Sequence, residues 1–216
     1  DALDNYEKAV ETLKHKPPAI EKIADIYFKT KKNAKAVDYI KKYDDKISDS
    51  CYLNIFFKLS DFYINAKAFR ENAELSEKLL AAHPNNNQVL YRLIDAYLLS
   101  NEFYQADKYI SELLTKNQAD YAANYYSAMY YAKTGNLDKA KLILESLTKA
   151  ESVADAPPEF VGRAYKFYGI LIVGDKKFET ANSYLEKSLA YLKNDSESRY
   201  YLGLCYFNTL NFVAAL

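Results

Sequence analysis

The chain has 216 residues, of which 50% are hydrophobic, 27% charged and 15% aromatic, enough to bury a large core. Lys plus Arg equals Asp plus Glu at 29 each, which excludes a whole-chain basic footprint for nucleic acid and the strong net charge of a disordered chain. Five Gly and five Pro are too few for a turn-rich sheet protein, so the expectation is all-α, with long helices and short connections.

In chain order, the first predicted helix runs over 2–15 and the next two over 18–30 and 33–46. Pro17-Pro18 stands at the start of the second, where a missing N–H costs nothing. Helices follow at 50–65, 68–82, 86–100 and 103–117. The run His83 to Asn87, with Pro84 inside it, ends one of them and begins the next. Then come 119–134, 137–151 and 157–173, the last opened by Pro157-Pro158 before Glu159. The remainder are 177–192, 195–209 and 211–216, with Asp195 and Ser196 as an N-terminal cap. Connections of one to five residues suit antiparallel helix neighbours.

Catalytic signatures are missing. Cys51 and Cys205 form neither a CxxC pair nor a metal-ligand spacing, and His15 and His83 lack a second ligand nearby. There is no GxxxxGK[ST] or GxGxxG loop to cradle a phosphate. We therefore expect no enzyme activity, no cofactor and no metal. No apolar run reaches the roughly 18 residues of a membrane span. Met129 is the only methionine, so residue 1 is not a translation start, and the compartment is not read from the sequence.

The dominant feature is a repeat. A usually small residue, with Ile94 the departure, is followed by a ring three positions later and an alanine nine positions after that. Instances are Ala24–Tyr27–Ala36, Ile94–Tyr97–Ala106, Ala128–Tyr131–Ala140 and Gly203–Tyr206–Ala215. Unit starts at 17, 53, 87, 121, 162 and 196 give spacings of 36, 34, 34, 41 and 34. Residues 1–16 read as a preceding half unit, and the last unit is incomplete. The extra residues of the 41-residue spacing fall in a longer connector at 155–161, where a looser seam is expected. Close helix crossings need small side chains, and a lone helix pair cannot bury both faces, so each unit leans on its neighbours.

This pattern resembles the tetratricopeptide repeat, a 34-residue helix–turn–helix unit, over essentially the whole chain. The resemblance implies a right-handed α-solenoid spanning 1–216, a protein-interaction scaffold that holds a peptide or helix of a partner protein in a concave groove lined by the first helix of each unit. It implies groove positions five and nine. Position five carries Glu21, Phe57, Tyr91, Tyr125, Lys166 and Tyr200. Position nine carries Asp25, Asp61, Asp95, Met129, Ile170 and Leu204, three acids and then three apolar residues.

Positions five and nine are i,i+4 neighbours, so Phe57 with Asp61 and Tyr91 with Asp95 form aromatic-plus-carboxylate pairs suited to a Lys or Arg side chain. That cation comes either from a ligand or from this chain, with Lys58 and Arg92 close at hand. The acids also argue against capture of a C-terminal carboxylate. The other reading is a structural subunit of a larger assembly, joined through its ends and convex face. Phe212 to Leu216 are apolar without a polar cap, so the expectations include a longer array and self-association through the C-terminal end.

Overall fold

The computed structural model describes residues 2–13 and 16–209; the predicted helix 211–216 and His15 lie outside them. Among the described residues there are α-helices, two short 3-10 turns and no strand. The chain forms two compact units, Asp1–Glu102 and Phe103–Leu216. They part inside the third repeat, whereas the 155–161 connector lies within the second unit.

In the first unit α1 is Ala2–Thr12, α2 Pro17–Lys29, α3 Asn33–Lys41, α4 Leu53–Asn65, α5 Phe69–Ala82 and α6 Asn87–Ser100. Ala24, Ala36 and Ser60 are fully buried at the helix crossings, where their small side chains let backbones approach. Ile20, Ile40, Phe56, Leu59 and Leu79 fill the space beside them. Each such side chain, fully buried, contributes roughly 1.5–3 kcal/mol. The predicted helix 33–46 stops at Lys41. Two 3-10 turns, Asp44–Lys46 and Ser50–Tyr52, take up the longer spacing, and Tyr43, Ile47 and Tyr52 from this stretch pack on the core.

The second unit holds α7 Phe103–Lys116, α8 Tyr121–Lys133, α9 Leu137–Leu147, α10 Ala150–Val153, α11 Pro158–Gly174, α12 Phe178–Tyr191 and α13 Ser196–Asn208. α11 packs on α9, α12 and α13. Gly162 and Gly169 sit where it meets α12. A Cβ on Gly162 would lie 2.7 Å from Leu192 Cγ, and one on Gly169 2.9 Å from Leu185 Cγ. One boundary here differs from expectation. The helix predicted over 137–151 breaks after Leu147, because Lys149 is extended and α10 restarts as a separate turn. α11 starts at Pro158, one residue from the predicted 157, so the end of the 155–161 connector forms its first turn, with Phe160 and Val161 buried.

One turn recurs. The fifteenth residue of five units, Lys31, Lys67, Asn101, Gly135 and Lys176, has φ between 57° and 91°. In each case the next backbone N–H donates to the carbonyl of position eleven: Lys32 to Tyr27, Ala68 to Tyr63, Glu102 to Tyr97, Asn136 to Tyr131, Lys177 to Ile172. This is the six-to-one bond of a Schellman ending, which satisfies carbonyls the helix leaves open.

Candidate functional site

The first helices of the first unit, α2, α4 and α6, carry the predicted acid and ring positions. Lys58 on α4 reaches back to α2, its Nζ 2.7 Å from Asp25 Oδ1 and 3.4 Å from Glu21 Oε1. Burial disfavours this ammonium, but the hydrogen bonds and charges of Asp25 and then Glu21 outweigh it, and its pKa is raised. One repeat on, Arg92 of α6 repeats the move toward α4. Its Nη1 donates to Asp61 Oδ1 at 2.6 Å and to Ser60 Oγ at 3.3 Å, while its Cζ lies 4.6 Å from the Phe57 ring centroid.

The aromatic-plus-carboxylate pair of Phe57 and Asp61 therefore holds an arginine, and that arginine is the chain's own. Asp61 is half exposed, with 57% of its side chain accessible, whereas Phe57 is buried at 7%. Phe57 is thus a wall between repeats and not an open groove surface. Tyr91 and Asp95 are half-buried on α6.

The first helices of the second unit are α8, α11 and α13. Tyr125 is buried, like Phe57, and again a guanidinium covers it. Arg163 Cζ lies 4.9 Å from the Tyr125 centroid, 5.4 Å from Phe160 and 5.6 Å from Tyr126. Lys166 joins α11 to the start of α13, 3.0 Å from Asp195 Oδ1 and 3.1 Å from Glu197 Oε2. Burial opposes the Lys166 charge, the two carboxylates overcome it, and its pKa rises. Asp195 also caps α13, accepting from Ser198 N at 2.7 Å. Burial alone would raise its pKa; the Ser198 bonds and Lys166 together hold it below the usual value.

Position nine of this unit stays apolar. Met129, Ile170 and Leu204 are half-buried, and the last two pack on the cluster of Ile172, Leu185 and Cys205. Tyr200, at position five of α13, is 68% exposed. The sequence reading missed Arg163. Only four of the 29 cationic residues are arginines, at 70, 92, 163 and 199, and two of those four lie on aromatic faces, so arginine scarcity is the signal that could have found it.

The tyrosines of position eleven brace the units. Tyr97 donates its hydroxyl to Glu77 Oε1, and Tyr206 does the same to Glu186 Oε1, each across 20 residues. The hydrogen bond to Glu186, then burial, raises the Tyr206 pKa.

Helix pairs in tandem, small residues at crossings, rings at position eleven and a shared Schellman turn decide the architecture. The chain has the tetratricopeptide-repeat fold. Solved structures agree. A tetratricopeptide repeat protein from Parabacteroides merdae superposes with a TM-score of 0.70 at 15% identity, covering 99% of this chain and 81% of that one. YrrB, described as a tetratricopeptide repeat protein with an unusual peptide-binding site, gives 0.51 at 19% identity over 91% and 96%. Pseudomonas aeruginosa pilF gives 0.55 at 17% identity over 80% and 73%. No protein-family model and no characterised protein matches the sequence. Among the described residues no tetratricopeptide helix is long and apolar enough to cross a membrane. Nor do three His, Cys, Asp or Glu side chains among them converge to hold a metal ion.

Proposed function

We propose that the chain is a protein-interaction scaffold without catalytic activity. In this reading it binds an extended peptide or helix of a partner protein on the surface of its first helices. The reading follows fold-level analogy for the mode of action, and the site chemistry for its location. The observation that carries it is the contrast between the two units. In the first, Asp25 and Asp61 are matched by Lys58 and Arg92, and Phe57 is covered. In the second, Met129, Ile170, Leu204 and the exposed Tyr200 leave partly accessible apolar surface without charge at position nine. Tyrosine on such a surface supplies large contact area with a polar tip.

In this reading the ligand meets α8, α11 and α13 through apolar anchors. The test is affinity capture from an extract of the source cells with wild type and with Tyr200→Ala and Met129→Glu. Partners captured by wild type should be lost or reduced with both variants. Capture of the same partners at the same yield by both variants refutes the first-helix surface.

A further inference from the structure

The second unit holds a cavity walled in part by the longer connector. It measures about 900 Å³, within the range of ligand clefts. Three segments wall it: the turn 117–121 before α8, the end of α9, and Glu151–Pro157, which runs into the longer connector at 155–161. The connector thus closes one side of it, and none of its lining residues stands at position five or nine of a first helix.

Its walls have two characters. Leu142, Ile143, Leu147 and Pro157 give it an apolar side, and Leu142 is 67% exposed. Asp120, Glu151 and Asp155 give it an acidic side, and no lysine, arginine or histidine is among its lining residues. Lys116 and Lys149 flank these segments in sequence without lining the cavity. Asp120 is committed to capping α8, through Ala123 N at 2.7 Å. Glu151 and Asp155 are exposed and make no ion pair among the described residues.

Two helices, α7 and α9, also end at the cavity's edge, and helix C-termini carry partial negative charge that favours a cation. The frame is stiff: Asn117 Oδ1 accepts from Ala119 N, Asn124 Nδ2 donates to the Gln118 and Asp120 carbonyls, and the Tyr121 hydroxyl donates to the Leu147 carbonyl.

We infer that this connector-walled cavity is a second docking site, for a short peptide segment in which an aliphatic side chain is flanked by Lys or Arg. The aliphatic group covers Leu142 and Ile143; the basic groups meet Glu151, Asp155 and the two helix C-termini. The site does not rest on the first-helix surface proposed above.

The experiment uses two fluorescein-labelled amidated pentapeptides, Lys-Leu-Lys-Leu-Lys and its twin Glu-Leu-Glu-Leu-Glu, titrated with the whole chain by anisotropy at low salt. The basic peptide should bind, at least about tenfold tighter than the acidic one, and weaken as salt is raised. Glu151→Lys combined with Asp155→Lys should cost the basic peptide about tenfold, as expected for exposed charge pairs reversed in sign. Asp155→Asn and Leu142→Ser should each weaken it to a smaller extent, and Tyr200→Ala should leave it unchanged. All these side chains are exposed, and a far-UV spectrum like wild type confirms folding. Absence of binding up to millimolar peptide, equal binding of the two peptides, or wild-type binding by both the charge-reversed and the Leu142→Ser variants overturns the proposal.

Discussion

Arg92→Met tests whether ring or carboxylate holds the arginine staple between α4 and α6. The shorter contact is to Asp61, at 2.6 Å, but Asp61 is 57% exposed and solvent screens it. An ion pair of this kind contributes about 0–1 kcal/mol, and we take roughly 0.5 or less. The Phe57 ring is buried, and only 22% of the Arg92 side chain is accessible. A cation over a ring is worth about 0.5–1 kcal/mol when exposed and about 2 when desolvated, so roughly 1 to 1.5 fits here. The buried Ser60 hydroxyl loses a partner as well, at about 0.5–1 kcal/mol.

Arg92→Met should thus destabilise by about 2 kcal/mol in total. In double-mutant cycles its coupling to Phe57→Leu should be about 1 kcal/mol, against at most about 0.5 for Asp61→Asn. In 1 M salt, where screening extends to roughly 3 Å, the Asp61 coupling should vanish and the Phe57 coupling persist. The assay is urea unfolding followed by circular dichroism and tyrosine fluorescence, with coincident transitions required. An Asp61 coupling larger than that of Phe57 refutes this ranking.

Asn72 occupies an alanine slot, is fully buried, and finds no hydrogen-bond partner for either side-chain atom among the described residues; Asn72→Ala should raise the urea midpoint by the equivalent of about 1–2 kcal/mol. Gly162→Ala and Gly169→Ala should each cost about 1–3 kcal/mol by overpacking against α12, while Gly174→Ala, with nothing within 4 Å of its Cβ, should be neutral or stabilising in the same thermal melt. Asp195 titrates below its ordinary value of 3.8, so its contribution is present above that pH and is lost as pH falls through the lower, folded value. Asp195→Asn keeps a competent cap but loses the Lys166 charge pair, so it should flatten the acid limb of stability against pH while costing less than Asp195→Ala at neutral pH. An acid limb unchanged in Asp195→Asn would refute that assignment.

The repeat was legible because its cause is local. A small residue at most crossings and a ring at position eleven of five of the six units recur at spacings of 34 to 41 residues, and the helices start close to where those spacings place them. The early end of α3 has a tertiary cause: Tyr43, Ile47 and Tyr52 are drawn into the core. At the candidate site, i,i+4 spacing identified Phe57 with Asp61 as a place for a cation. The sequence offers Arg92 and Lys58 as well as a ligand for that cation; the choice depends on how one helix is turned toward the next, which no pattern within a single helix carries. Arg163 was hidden for the same reason, with the added blur of an α11 that begins four residues before its unit.

The left-handed turn that follows five of the first helices holds a further lesson. Three of its five copies place lysine where glycine or asparagine would be at ease, at Lys31, Lys67 and Lys176. A side chain held there costs on the order of 1 kcal/mol, yet the backbone bond to position eleven is the same in all five. The packed helices impose the turn; the residue at its apex merely tolerates it. A fold written in distances between small and large side chains can exchange most of its letters without changing shape. That accounts for a superposition at 15% identity spanning 99% of the chain.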